Sequence, residues 1–220
     1  MKKTLLSWSS GKDSAWALHV LRQDPEIDLV GICSVMNETH QRVAMHATRL
    51  ELLRRQAEAV GLPLDVINIP HPCTHEQCEA IMGQFVRQAV ARGIEGMAFG
   101  DLFLPDIRAY REQQLAGTCI APLFPLWGLP TRELALRMLS AGLEAHISCV
   151  DPRKLPAHFV GRAWTRALLD ELPGTVDPCG ENGEFHTIAV NGPMFRKPLD
   201  VRPGEVVERE GFVFADVLLV

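Results

Sequence analysis

Short apolar runs alternate with longer segments of helical periodicity through the first half of the chain. Thr4 to Trp8 reads as a buried strand. Ala15 to Arg22 places Trp16, Leu18, His19 and Leu21 on one side and predicts a helix. Leu29 to Met36 is a second apolar run, and Thr48 to Val60 a second helical segment that Gly61 and Pro63 stop. The alternation continues with a strand from Leu64 to Ile69, closed by Pro70, and a helix from Thr74 to Arg92, ended by Gly93. A strand from Met97 to Gly100 and a helix from Ile107 to Leu115 complete it. This order predicts an α/β fold with a parallel sheet and helices on both faces. Right-handed crossovers make the sheet doubly wound.

The pattern changes after about residue 120. Ile120 to Trp127 is apolar but holds Pro122 and Pro125, which predicts a linker or an edge segment. A helix from Thr131 to Ala141, a strand from Glu144 to Val150 and a helix from about Arg162 to Leu172 follow. The end reads as strands and turns: Phe185 to Val190, Val206 to Glu210 and Phe212 to Leu219. The expected division is a first domain over 1–127 and a smaller α+β domain over 128–220.

Composition narrows the class. At 220 residues, with 47% hydrophobic and 22% charged positions, the chain has the balance of a soluble globular protein. Its 22 Lys and Arg against 27 Asp and Glu give a net charge of −5, which excludes a generally basic surface that tracks nucleic acid. No apolar run reaches the ~18 residues of a membrane span. The start, Met1 to Leu6, resembles a signal peptide but meets Ser9-Ser10-Gly11 too soon, so a cytoplasmic protein is expected. Cys33, Cys73, Cys78, Cys119, Cys149 and Cys179 are spread along the chain, which fits reduced thiols.

Three motifs carry chemistry. Ser9 to Ser14 (S-S-G-K-D-S) sits between the first strand and the first helix. Backbone N–H groups and the helix dipole there favour an anion. Gly11 allows close approach, and Ser9, Ser10 and Ser14 offer hydroxyls. The spacing is not that of a Walker A loop; a plain turn capped by Asp13 or Ser14 is the alternative. Gly100 to Glu112 (G-D-L-F-L-P-D-I-R-A-Y-R-E) follows the fourth strand, so Asp101 faces the same crevice at the carboxyl ends of the strands. Arg108 and Arg111 share a helix face and could grip a phosphate or carboxylate, or simply pair with Asp106 and Glu112 at the surface. Asp177 to Thr187 (D-P-C-G-E-N-G-E-F-H-T) sets Glu181 and Glu184 around a turn, suited to Mg²⁺, an ammonium group or a polar substrate, or else forming a charged hairpin turn.

Other residues attract attention. His71, Cys73, His75 and Cys78 suggest zinc. Thr74 and Gln77 explain the spacing better as a capping box, with the cysteines at hydrophobic-staple positions. His46 lies in the loop that often touches the base or ribose in a nucleotide-binding sheet. Cys179 reads as a buried thiol rather than a nucleophile. Trp127 and Trp164 read as core or domain-interface residues.

The Ser9–Ser14 loop resembles the S-G-G-K-D-S motif of the PP-loop ATP pyrophosphatases, the adenine nucleotide alpha-hydrolase-like superfamily with its HUP-like fold. Ser10 replaces the middle glycine, with a negative φ expected. Together with Pro125-Leu126-Trp127-Gly128 and Gly192 to Phe195, the three motifs resemble the diphthine–ammonia ligase family and its bacterial-type relatives over nearly the whole chain. Asn182 stands where those ligases have Gly, and His186 where they have Glu. The resemblance implies an ATP-dependent amide ligase that forms AMP and pyrophosphate, with ATP and Mg²⁺ as cofactors. It implies catalytic roles for Lys12, Asp13, Asp101, Glu181 and Glu184. Ser9, Ser10, Gly11, Lys12, Asp13, Ser14, His46 and Gly100 would hold the nucleotide, and Asp13 and Asp101 the metal. Arg108, Arg111, Asn182 and His186 would meet the substrate, and residues 128–220 would form the substrate domain. The expected partners are a small carboxylate and ammonia or an amine; nucleic acid and membrane are not expected, and a homodimer is compatible. A nucleotide sensor without turnover and an RNA-thiolating enzyme are the alternative readings.

Overall fold

The computed structural model describes all 220 residues. The elements are β1 (Lys2–Ser7), α1 (Lys12–Leu21), β2 (Ile27–Asn37), β3 (Arg42–Val43), α2 (Leu50–Val60), β4 (Leu64–Ile69), α3 (His75–Ala91), β5 (Gly96–Ala98), α4 (Pro105–Leu115), β6 (Ala121–Leu123), α5 (Thr131–Ser140), β7 (Glu144–Val150), α6 (Arg166–Glu171), β8 (Phe185–Asn191), β9 (Val201–Arg209) and β10 (Phe212–Leu219). Five parallel strands run in the order β4-β2-β1-β5-β6, and β3 adds a two-residue antiparallel pairing at Met36 and Asn37 of β2. Strand order reverses between β1 and β5. In an open parallel sheet the crevice at that reversal takes the ligand.

Alternate residues of each strand serve opposite faces. Leu6, Ile32 and Ala98 join the core under α1 and α2, while Leu5, Cys33 and Met97 join the one that holds Phe85, Val86 and Ala89 of α3. The expected doubly wound α/β sheet is therefore present. The apolar segment with two prolines contributes β6, which places Pro122 on the edge, where a missing donor does no harm.

The second sheet is antiparallel, in the order β8-β7-β10-β9. Its inner side continues the core of the first: Leu6 and Trp8 belong to the same buried cluster as Ile147, Trp164 and Phe185. The helix expected from Arg162 is shorter. Residues 161–164 instead run alongside β7, with Ala163 bridged to His146 and the Trp164 N–H donating to Ala145 O at 2.8 Å. Thr165 then caps α6 by accepting from the Leu168 N–H at 3.2 Å. β9 starts five residues before the expected Val206 because Pro203 and Gly204 are tolerated on an edge strand. No helix is long and apolar enough to cross a membrane.

Candidate active site

The loop after β1 and the turn after β5 flank the strand-order reversal and open into one cavity of about 640 Å³, lined by residues from both sheets. That volume suits a small-molecule site. Lys12, Asp13 and Ser14 form the first turn of α1, with Gly11 as N-cap. The Asp13 and Ser14 amides bond to no acceptor in the chain, so the turn presents free donors and the positive end of the helix dipole. Gly100 lets β5 come this close: a Cβ there would stand 3.0 Å from Ser14 N and Asp13 C.

The second sheet lies across the loop. The Lys12 N–H donates to Thr187 Oγ1 at 3.1 Å, and the Ala189 N–H to Ser10 O at 2.9 Å. The Lys12 side chain is buried, donates to Asp13 Oδ2 at 2.8 Å and to Cys179 O, and sits over the Trp164 and Phe185 rings. Burial is the largest influence and opposes its charge, but Asp13, Cys179 and Asp177 together outweigh it and raise Lys12 above the usual lysine value. Burial dominates for Asp13, which is raised despite Lys12.

Ser10 departs from expectation. Its φ is +71, in the left-handed region, not negative. Bonds on every side hold it there. Its hydroxyl meets Thr48 Oγ1 at 2.5 Å, and its carbonyl accepts from Ala189 and, at 2.9 Å, from Gln56 Nε2. Ser10 is fully buried, so its hydroxyl does not face the cavity as the loop reading supposed. Ser9 does line the cavity, and its hydroxyl donates to Ser14 Oγ at 3.1 Å.

The acidic side of the cavity holds Asp13, Asp101 and Glu181. Glu181 Oε1 accepts from the Leu102 N–H at 2.7 Å. Burial pushes the Glu181 carboxyl up to about 7; the Leu102 bond opposes this, and the Asp13 and Asp101 charges add to it. Arg111 Nε faces Asp101 Oδ2 at 3.5 Å, and neither buried atom completes a hydrogen bond, nor does Asp13 Oδ1. Burial raises the Asp101 carboxyl against the pull of Arg111. His46 and His186 also line the cavity, with ring centroids 4.9 Å apart. His46 Nδ1 lies 2.8 Å from Thr187 O. Burial pushes His46 down to about 4 and His186 down to about 3, so both imidazoles are neutral.

Arg108, Asn182 and Glu184 do not line the cavity. Arg108 stacks on Phe124 and Trp127 and pairs with Glu112 at 2.8 Å, so only Arg111 of the two arginines reaches inward. Asn182 is exposed and turns its amide to Glu184 Oε1 at 3.2 Å. Glu184 is buried and also accepts from the Asp177 N–H at 2.9 Å, tying the turn that presents Glu181. Cys179 lines the cavity, but burial pushes its thiol far up, away from thiolate chemistry. The Thr74–Gln77 capping box is formed on α3, Trp164 is core, and all six cysteines are free.

Gln56 was not anticipated. It is fully buried, accepts from Trp8 Nε1 at 2.9 Å and donates to Ser10 O and, at 2.7 Å, to Ala189 O, joining the residue after β1, the loop and β8. Its signal was a polar residue on the apolar stripe of Leu52, Leu53 and Val60.

A parallel sheet with a donor-rich turn at its strand reversal, roofed by a second sheet, is the PP-loop, HUP-like architecture. Residues 1–115 match the family model described as the diphthamide synthase N-terminal domain, and residues 131–217 the diphthamide synthase C-terminal domain. The chain belongs to the diphthamide synthase family. It is 27% identical over 238 residues to a diphthine–ammonia ligase of Homo sapiens, and 25% identical over 230 residues to one of Rattus norvegicus. A third, from Bos taurus, is 27% identical over 237 residues. Each alignment covers 95% of this chain and 86% of the relative.

Proposed function

We propose that the protein is an ATP-dependent C–N ligase that forms AMP and pyrophosphate. A carboxylate oxygen of the acceptor attacks the α-phosphorus, and the bond to pyrophosphate breaks. Ammonia or an amine then attacks the carbonyl carbon, the C–O bond to AMP breaks, and the amide is left. The observation that carries this reading is the pairing, in one cavity, of a donor-rich helix start with the Asp101, Arg111 and Glu181 cluster. Charge develops on the departing pyrophosphate, where the Asp13 and Ser14 amides and the Lys12 ammonium would stabilise it. Arg111 would orient the carboxylate. Glu181, which takes up a proton near neutrality, would receive the proton that the ammonia or amine nitrogen must lose once it has bonded to the carbonyl carbon.

ATP fits the residues present, since the loop leaves free amides at its centre. Mg²⁺ fits as well. No cluster of three His, Cys, Asp or Glu side chains is arranged to hold a metal, but Mg²⁺ characteristically uses one or two carboxylates together with substrate phosphates. Asp13 Oδ1 and Asp101 Oδ2, buried and without a hydrogen bond, the second facing Arg111 Nε at 3.5 Å, would supply those oxygens. The ion would neutralise phosphate charge. The diphthine of the relatives' names is carried over only as a carboxylate acceptor, because His186 changes the wall that such an acceptor would meet. Incubation with α-labelled ATP, ammonium and a small-metabolite extract tests the reading. AMP formed only when extract is present supports it, and ADP or no cleavage refutes it.

A further inference from the structure

The turn from Arg42 to Arg49 forms one wall of the nucleotide cavity through Ala44, Met45 and His46. It is closed on itself. Arg42 bridges to Arg49, the Val43 N–H donates to Thr48 O at 2.9 Å, and Arg42 Nη1 donates to Ala47 O at 2.7 Å. At its tip the His46 ring lies on the phosphate loop so closely that a Cβ on Gly11 would stand 2.6 Å from His46 Cε1. Gln41, Met45 and Ala47 all have left-handed φ, at 50°, 58° and 56°. Side chains rarely adopt that region without support from outside.

The support comes from Asp216 of β10. This single carboxylate takes Arg42 at 2.9 and 3.0 Å through two nitrogens, and Arg49 at 2.9 Å through Nε. It is only 11% exposed, so solvent screens its pair with Arg42 weakly, and its pair with the half-exposed Arg49 more. Asp216 stands at an irregularity between Ala215 and Val217, and Gly204 on β9 makes room for it: a Cβ on Gly204 would meet Asp216 Cβ at 2.8 Å.

We propose that Asp216 is a positioning residue for the nucleotide site. Through Arg42 and Arg49 it holds the 42–49 turn closed over the phosphate loop, so that the ATP pocket is ready-formed. The proposal rests on the nucleotide reading above. Without the clamp the turn opens, the competent fraction falls, and apparent ATP affinity falls in proportion. Chemistry in the bound complex is unchanged.

The test compares the wild type with Asp216→Asn and with the milder Arg49→Met, whose parent side chain is half exposed. Hydrogen exchange is read in the nucleotide-free protein, ATP binding by calorimetry, and turnover by steady-state kinetics. The expected result for Asp216→Asn is faster exchange confined to residues 38–49. ATP Kd and KM rise about tenfold, as for a competent fraction near one tenth, and kcat stays within about twofold. Arg49→Met shifts the same quantities less. ATP affinity within about twofold of wild type in Asp216→Asn overturns the proposal. So does exchange that quickens evenly across the chain, or a fall in kcat at unchanged KM. A wild type that binds ATP without forming AMP refutes the ligase reading alone. One that binds no ATP refutes the nucleotide reading, and a clamp variant with unaltered exchange at 38–49 then refutes the clamp separately.

Discussion

Ser10 offers a sharp test of how the phosphate loop is held. A residue with φ near +71 carries a steric penalty of about 1–2 kcal/mol unless it is glycine. Both Ser10→Gly and Ser10→Ala remove the hydroxyl and leave the fully buried Thr48 Oγ1 without its partner, a loss of about 1–3 kcal/mol. Only glycine relieves the backbone penalty. It gives back about 0.4–1 kcal/mol of that through the greater freedom of the unfolded chain. Ser10→Gly is therefore expected to be more stable than Ser10→Ala by about 1 kcal/mol, or about 2–4 °C in Tm for a chain of this size. Urea unfolding of the two variants under identical conditions measures the difference. A more stable alanine variant would refute the left-handed loop and with it the geometry that aims the Asp13 and Ser14 amides at the cavity.

Further predictions follow from the same contacts. Glu181→Gln should lower kcat by roughly 10²–10⁴ while ATP affinity changes less than about tenfold, and the pH–rate inflection near 7 should vanish; an unchanged profile would remove Glu181 from the chemistry. The folded-state pKa of Glu181 is raised from 4.5 to about 7, so the folded protein binds the extra proton. Wild-type stability should fall as pH rises from about 4.5 through 7, and this part of the slope should be missing from Glu181→Gln, as thermal melts across that window would reveal. Arg111→Ala should raise the acceptor KM strongly, whereas Arg108→Ala should mainly lower Tm through lost stacking on Phe124 and Trp127; equal kinetic effects would contradict the division of labour. Gln56→Leu strands Trp8 Nε1 and Ala189 O in the core, for a loss of about 2–6 kcal/mol at about 1–3 per buried group, and calorimetry showing less than 1 kcal/mol would refute its role in joining the two sheets.

The order of strands and helices was legible because each element ends in a residue with a definite backbone effect, as Gly61, Pro63, Pro70 and Gly93 do. The loop and Asp101 were legible because chemistry-bearing residues at the carboxyl ends of parallel strands converge whatever the rest of the chain does, and Glu181 because it is a carboxylate in a glycine-containing turn that leads into β8. Side-chain direction was less accessible. Arg108 and Arg111 share a helix face by spacing, yet Phe124 and Trp127, from a later segment, draw one of them away. The sign of φ at Ser10 depends on Thr48, Gln56 and Ala189, none of them a neighbour in sequence. The β3 turn escaped notice because two residues show no alternation, and Asp216 because its partners lie far off in the chain, 174 residues away for Arg42 and 167 for Arg49.

The central claim is that an acceptor oxygen, not water, attacks the α-phosphorus. Its most direct test is the extract-dependent reaction run in ¹⁸O-water with ATP, Mg²⁺ and ammonium, with Lys12→Ala as control. The account predicts AMP and pyrophosphate in equal amounts, the AMP free of ¹⁸O because its new oxygen comes from the acceptor carboxylate, and no product from the control. AMP that carries ¹⁸O, or ADP in its place, would contradict it.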